Sequence, residues 1–335
     1  MRVLLVTNMY PTAKAPHSGT FVAEQVESVR RLGIEVDVVH VDRLEGGRRA
    51  YRGLGAAVRN RAASTAAELV HVAYGGLMAE AVTRAVRDAP VMLTFHGSDL
   101  LGHPGGGLHA LSPRVGVSAS RLAAKRADGI IVVAERLRDA LPRHVDPTRV
   151  WLVPNGVDLD RFRPLDRARC RKTLGWDEEA KHVVFPSSPA RPEKRFALAR
   201  AATAQVSAGR PVQLHALDGV AHADVPIWLN AADAVLLTST HEGSPVVLKE
   251  ALACDTPVVS VDVGDVRERL EGVAGCHIAG ATADQLAKGL AVVLADGGRI
   301  DGRGRVEELG LDRIGRRIAD VYRAVARGAA ANQAA

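Results

Sequence analysis

The feature that most constrains this chain is an alternation. Short, nearly unbroken runs of Val, Ile and Leu are followed, again and again, by stretches with helical periodicity. The first runs are candidate strands over Val3–Thr7, Val36–Val41, Leu69–Val72, Pro90–Phe95, Gly129–Val133 and Val150–Val153. A second set covers His182–Phe185, Val212–Ala216, Ala234–Thr238, Pro257–Val261 and Cys276–Ile278. A strand that is apolar on both faces must be covered on both faces, the condition of a parallel sheet flanked by helices. The expected fold class is α/β, with doubly wound, Rossmann-like sheets. At 335 residues the chain exceeds one typical core, so two such domains are expected.

Between the two sets lies Val153-Pro-Asn-Gly-Val-Asp158, which is turn chemistry. Residues 158–181 are charged and include Pro164, so a hinge is expected over 155–180. The expected domains are 1–157 and 158–310, with a closing helix over 311–328 returning to the first. In that helix Ile314, Ile318, Val321 and Val325 form one apolar stripe, with Arg313, Arg316, Arg317 and Arg323 mostly off it. The stripe suggests packing across both domains, and the Ala-rich tail from Ala329 should fray. Near the start, Ser18 or Thr20 is the expected cap of a helix that buries Val22, Val26 and Val29 and stops at Gly33. Two doubly wound domains imply a cleft between them, and such sheets bind ligands at the carboxyl ends of their strands.

Composition narrows the function. Net charge is +6, from 44 basic and 38 acidic residues. That suits an anionic ligand or membrane surface and is too weak to argue a nucleic-acid partner. There is no RNA-recognition or zinc-finger pattern, no Walker sequence, no His-Glu-x-x-His and no Gly-x-Ser-x-Gly. Cys170, Cys254 and Cys276 are too scattered for a disulfide framework or a metal cluster, so a reducing cytoplasm is expected. Met1-Arg-Val-Leu-Leu-Val-Thr-Asn8 reads as a buried strand rather than a signal peptide, and no apolar run approaches the ~20 residues of a membrane span. The basic stretch from Arg48 through Arg61 reads as a solvated helix. The alternative is a peripheral surface on anionic lipid heads, at the inner face of a membrane.

The most informative chemistry is Glu242-Gly-Ser-Pro-Val-Val-Leu-Lys-Glu250. Two carboxylates bracket a small turn and the start of a helix, with Pro245 expected at the first helical position. The amides of Gly243, Ser244, Val246 and Val247 would point at whatever sits above that helix end, which favours phosphate. Carboxylates accept hydrogen bonds from hydroxyls. A phosphate held between two hydroxyl-rich groups describes a nucleotide-sugar.

This stretch resembles the Glu-x(7)-Glu motif of retaining glycosyltransferases of GT-B architecture, family 4 (glycosyl transferases group 1). The resemblance implies that Glu242 contacts the donor sugar and Glu250 holds the ribose. The backbone of Gly243, Ser244, Pro245, Val246, Val247 and Leu248 would meet the diphosphate. Further stretches follow the family's order. The loop His17-Ser18-Gly19-Thr20 brings Gly19 to the donor phosphate or acceptor, with Thr20 an acceptor-side candidate. Thr94-Phe95-His96-Gly97-Ser98-Asp99 puts His96 opposite the donor sugar, with Asp99 also on the acceptor side. Gly102-His-Pro-Gly-Gly-Gly107 reads as a mobile loop.

In Ala190-Arg191-Pro192-Glu193-Lys194-Arg195, Lys194 takes the place of the lysine that neutralises the leaving diphosphate. The family's arginine would stand five residues earlier, where this chain has Pro189, so Arg191 is the substitute candidate. Asp158-Leu-Asp160 superficially matches a metal-binding Asp-x-Asp but reads as turn or cap chemistry. No metal and no other cofactor is expected.

The resemblance implies an enzyme, a metal-independent retaining hexosyltransferase that moves a sugar from a nucleotide diphosphate sugar to a hydroxyl acceptor. That acceptor would be lipid-linked or free, in cell-envelope glycan or glycoconjugate biosynthesis. The alternatives are a secondary-metabolite glycosyltransferase, a nucleotide-sugar 2-epimerase or a phosphorylase of similar architecture. A non-catalytic nucleotide-sugar-binding partner is the alternative from another class. The loop Leu217-Asp-Gly-Val-Ala-His222 is expected to read the donor base through its backbone.

Overall fold

A computed structural model of the chain describes residues 1–42, 46–102, 111–206 and 211–334. It forms two compact units: Met1–Asn155 together with Leu311–Ala335, and Gly156–Gly310.

The first unit is built on β1 (Arg2–Thr7), β2 (Glu35–His40), β3 (Leu69–Val72), β4 (Val91–Phe95), β5 (Gly129–Val132) and β6 (Val150–Leu152). The strands are parallel in the order β2-β1-β3-β4-β5-β6. The winding direction reverses between β1 and β3, which opens a crevice at their carboxyl ends. Leu4, Val6, Val70, Val72, Leu93, Phe95, Ile130 and Val132 are buried with Met78, Val82 and Ala123 from covering helices.

The closing helix Leu311–Ala334 belongs to this unit, and Ile314, Ile318, Val321 and Val325 are buried. It also supplies Tyr322, whose hydroxyl lies 2.8 Å from Nδ1 of His71 on β3, while Nε2 of His71 lies 2.7 Å from the Thr94 hydroxyl. Burial, with a lesser effect of His96, holds the His71 pKa down to about 3. The ring is therefore a neutral, fully hydrogen-bonded link between sheet and helix.

The second unit carries β7 (Lys181–Phe185), β8 (Val212–Ala216), β9 (Ala234–Leu237), β10 (Val258–Val261) and β11 (His277–Ala279). These are also parallel, in the order β11-β10-β9-β7-β8, with the reversal between β7 and β9. Every strand expected from the sequence is present, with its ends within one residue of expectation.

Two local expectations need correction. The stretch 158–180 is not a hinge; it is packed into the second unit. Phe162 and Cys170 are buried, and Arg167–Leu174 is a helix capped by Asp166, which accepts from the Arg169 amide at 2.7 Å. The charges that suggested a linker have buried partners: Arg171 and Arg167 converge on Asp233 at 2.7 and 3.2 Å.

The first helix, Thr20–Arg30, is capped by neither Ser18 nor Thr20. Its N-cap is Gly19, at φ 66°, where an added Cβ would lie 2.2 Å from the Met9 carbonyl carbon. The close approach of two backbones excludes a side chain there.

The basic segment is a turn of 3-10 helix, Gly47–Tyr51, followed by helix Leu54–Ser64. Its apolar residues Leu54, Val58 and Ala62 are buried, and Arg61 pairs with Asp37 at 2.6 Å. The apolar side of the segment is committed to the core, as the reading of a solvated helix expects. Residues 103–107 of the glycine-rich stretch lie outside the described residues.

Candidate functional site

The reversal between β7 and β9 brings two loops together at the carboxyl ends of those strands. The loop after β7 carries Arg191, Glu193, Lys194 and Arg195; the loop after β9 carries Glu242. Backbone contacts stitch them to each other. The Thr238 hydroxyl donates to the Lys194 carbonyl at 2.6 Å, and the Thr240 amide donates to the Glu193 carbonyl at 2.8 Å. Arg195 is held in the left-handed region at φ 55° and donates to the carbonyls of Thr238 and Ser239. Strain of this kind persists where surrounding contacts over-determine it. The result places the Lys194 ammonium directly on the Glu242 carboxylate, with both side chains still partly open to solvent.

Arg191 is not part of that pair. It is exposed and its guanidinium engages Glu193 at 2.8 Å, within its own turn. The arginine that the sequence suggested for a diphosphate is thus paired within its turn, while Arg195, passed over in the sequence, holds the loop that positions Lys194.

After Glu242 the chain turns through Gly243 and Ser244 into helix Val246–Ala253. Pro245 is the N-cap, with φ −63° and ψ 117°, rather than the first helical residue. Its extended ψ turns the chain into the helix one residue later than expected. No side chain caps this end, so the first-turn amides are left to solvent or an anion.

The turn rests on a buried polar cluster. Lys249 is fully buried, and its ammonium donates to the Ser244 hydroxyl at 2.5 Å and lies 3.2 Å from Asp265. The Ser244 hydroxyl in turn donates to Asp265 at 2.9 Å, and Arg269 joins that carboxylate at 3.2 Å. Burial pulls the Lys249 pKa below its usual value, opposed by Asp265. Gly264, at φ 59°, packs so tightly beneath the turn that an added Cβ would stand 2.4 Å from the Gly243 carbonyl oxygen. The side chain of Ser244 therefore points into this support, and only its backbone remains for a ligand.

Glu250, on the next turns of the same helix, is 5% exposed. Its Oε1 lies 3.0 Å from Nε2 of His222. The other ring nitrogen, Nδ1, lies 3.0 Å from Nη1 of Arg161, which also pairs with Asp158 at 3.4 Å. The sequence pointed to the backbone of the 217–222 loop and missed this side-chain contact. Asp158 Oδ1 accepts from the amides of Asp160 and Arg161 at 3.1 and 3.0 Å, so it closes a turn, as its context suggested.

The first unit holds the remaining candidates. His96 follows β4, and neither ring nitrogen, both buried, has a hydrogen-bond partner among the described residues. Phe21 meets the ring edge-on at 5.3 Å between centroids, and burial holds its pKa down to about 4. A buried neutral imidazole with two unused positions fits a hydroxyl partner better than a packing role.

Asp99 sits beneath His96, 4% exposed, and accepts from the amides of Gly75, His96 and Gly97 at 2.9, 3.0 and 2.8 Å. Burial pushes its carboxyl above the usual range, against these donors. Its carboxylate is consumed by loop backbone, so it positions His96 instead of facing an acceptor. Thr20 opens the first helix beside Gly19. The structure thus brings Lys194, Glu242 and the 243–248 backbone together. It places Gly19, Thr20, His96 and Asp99 in the other unit and pairs Arg191 with Glu193.

Among the described residues no helix is long and apolar enough to cross a membrane. Residues 15–161 match the family described as Glycosyltransferase Family 4, and residues 179–296 match Glycosyl transferases group 1. A D-inositol 3-phosphate glycosyltransferase of Geodermatophilus obscurus is 30% identical over 55% of this chain and 49% of its own length. TuaC of Bacillus subtilis strain 168, a glycosyltransferase assigned to teichuronic acid biosynthesis, is 25% identical over 79% of this chain and 82% of its own. The chain spans about half the length of the inositol-phosphate relatives it matches.

Among solved structures, sucrose-phosphate synthase of Thermosynechococcus elongatus superposes with TM-score 0.83 at 18% identity, covering 97% of this chain and 98% of that one. Anabaena HepE in complex with UDP-glucose gives TM-score 0.67 at 17% identity, covering 96% and 99%. UDP-GlcNAc 2-epimerase of Methanocaldococcus jannaschii gives TM-score 0.61 at 10% identity, covering 96% and 99%. At these identities the likeness is one of fold, and the fold serves more than one reaction. With each half matched to a family model and each sheet doubly wound, the chain belongs to the GT-B, family 4-like glycosyltransferases.

Proposed function

We propose that this chain transfers a sugar, with retention of anomeric configuration, from a nucleotide diphosphate sugar to a hydroxyl acceptor. The observation that carries the reading is the Lys194–Glu242 pair at the β7/β9 reversal, set at the mouth of an uncapped helix whose later turn carries Glu250. In this reading the first-turn amides and Lys194 take the diphosphate, Glu242 a sugar hydroxyl and Glu250 the ribose. The slow part of such a transfer is departure of the diphosphate. A cation and oriented amides lower that barrier without having to reorganise. The diphosphate oxygen then takes the acceptor proton at the face it has just left, as the family resemblance implies. The family resemblance gives His96, neutral and with no ring-nitrogen partner among the described residues, one hydrogen bond with a hydroxyl of the reacting sugar. No resident metal enters this reading, because Lys194 and the helix end neutralise the leaving group.

The acceptor we propose is a hydroxyl of a glycan or glycoconjugate precursor, in keeping with the relatives named for inositol phosphate and teichuronic acid.

The test is calorimetric binding of UDP, GDP and ADP to the wild type and to Glu250→Ala. Turnover of the matching sugar donors would follow, with and without EDTA. Selective binding that weakens in the variant, with EDTA-resistant donor consumption, is the expected result. If no nucleotide binds at millimolar concentration, the donor site is misassigned.

A further inference from the structure

We propose that His222 is a positioning residue for the donor nucleotide: as its neutral Nε2–H tautomer it holds Glu250 Oε1, which leaves Oε2 to accept from the ribose hydroxyls. The proposal rests on the donor-site reading above and adds to it a residue that no motif marks.

The argument is one of donor and acceptor inventory. Arg161 Nη1 lies 3.0 Å from Nδ1 of His222, and a guanidinium can only donate. Nδ1 must therefore present its lone pair. Glu250 Oε1 lies 3.0 Å from Nε2, and a carboxylate can only accept, so Nε2 must carry the hydrogen. Both contacts are satisfied together by one tautomer of the neutral ring. Protonation at Nδ1 would turn the Arg161 contact into two opposed donors. Arg161 is itself held by Asp158, and the ring of Phe162, 1% exposed, lies 5.5 Å from that of His222. The imidazole is thus fixed in plane and in tautomer by Arg161, Phe162 and Glu250.

The consequence falls on Glu250. Glu250 is 5% exposed and has one side-chain donor, His222 on Oε1; among the described residues Oε2 receives no hydrogen bond and is not enclosed, so it is the atom left open to a ligand. A vicinal diol supplies what is missing. Because Oε1 is fixed by His222, rotation about the terminal torsion of Glu250 is stopped and Oε2 has one direction. The selectivity this produces is for ribose over deoxyribose.

The experiment titrates UDP, GDP and ADP and their 2′,3′-dideoxy counterparts into the wild type, His222→Ala, His222→Gln, Glu250→Ala and the His222→Ala/Glu250→Ala double variant. Thermal melts of each serve as folding controls. A hydrogen bond to a charged group corresponds to about a tenfold to hundredfold preference, so the wild type should favour the ribonucleotide by about that factor. His222→Ala should reduce the preference to within about threefold. His222→Gln, which returns an N–H donor near the Nε2 position, should restore most of it.

In the Glu250→Ala background the His222 substitution should have no further effect. If His222→Ala keeps the wild-type preference while Glu250→Ala loses it, the role of His222 is refuted and the donor site stands. If Glu250→Ala binds as the wild type does, the donor-site reading fails and this proposal with it. A loss of affinity shared equally by ribo- and dideoxynucleotides would reduce His222 to a packing residue and also refute it.

Discussion

Gly264→Ala tests whether the Gly243–Pro245 turn is the seat of the phosphates. The new Cβ would stand 2.4 Å from the Gly243 carbonyl oxygen, and 3.0 Å from both the Gly243 carbonyl carbon and Pro245 Cδ. Cβ atoms essentially never come within 3.0 Å of a neighbour, so the oxygen must retreat by at least the difference of 3.0 and 2.4, or 0.6 Å. The carbonyl is backbone and has no rotamer into which to swing, so the whole turn lifts. An L-residue at φ 59° adds strain of about 1–2 kcal/mol, and overpacking adds about 1–3 kcal/mol. The second unit should lose about 2–5 kcal/mol, which lowers its melting temperature by roughly 5–15 °C for a body of this size. A misplacement of about 1 Å costs on the order of a hundredfold in rate, so a lift of this size should cost about tenfold or more. Melting is read by calorimetry and turnover by donor consumption at 20 °C, well below the transition. A variant that melts lower yet binds nucleotide diphosphate and turns over normally would show that the turn carries no phosphate. A variant with unchanged melting would refute the packing itself.

Four further outcomes are expected. Lys194→Ala should reduce kcat about a hundredfold to a thousandfold, because it removes the cation nearest the departing charge; a change confined to KM would assign Lys194 to binding alone. His96→Ala should depress turnover while the affinity for free nucleotide, measured by calorimetry, stays within about twofold, since His96 and the donor site belong to different units. Folding stability should fall on acidification. The pKa values of His71 and His96 lie at about 3 and 4 in the folded chain against an ordinary 6.5, so the unfolded chain binds protons that the native state refuses. Their contribution is intact above about pH 6.5 and is lost as pH drops toward 4, by about 1–2 kcal/mol for each ring at pH 5; a urea midpoint equal at pH 7.5 and 5 would contradict this. Tyr322→Phe should cost about 1–3 kcal/mol by leaving Nδ1 of His71 unpaired, seen as a lower melting temperature with unchanged nucleotide affinity.

The strands were legible because most of them, such as β3, β4, β5, β9 and β10, are short runs buried on both faces, the pattern of a covered parallel sheet, bounded by turn residues. The Glu242–Glu250 unit was legible because its spacing and its turn residues are local. What the sequence hid was long-range. His222 reaches Glu250 across 28 positions, and nothing in the spacing of a loop histidine foretells its target. The charged run before β7 looked like a linker because composition cannot show that Arg167 and Arg171 share Asp233, more than sixty residues away. Lys249 did leave a trace: it is the lone cation among apolar residues of a helix flanked by buried strands, a position where a lysine needs a buried partner. The helix start at Val246 instead of Pro245 is a matter of one ψ angle, which a residue name does not encode.

The first unit is assembled from two pieces of chain, with the second unit strung between Asn155 and Leu311. During synthesis its six strands therefore emerge well before the helix that carries Tyr322 and the Ile314–Val325 stripe. Until the ribosome has passed the entire second unit, Nδ1 of His71 lacks the Tyr322 hydroxyl, with only Nε2 held by Thr94, and the apolar surface that the closing helix covers stays open. The chain's earliest domain to begin folding is thus its last to finish. A stop anywhere after Gly310 and before Val325 would leave a finished second unit tethered to an unfinished first one. Such a product would keep an intact second unit, expose apolar surface of the first, and be removed by quality control.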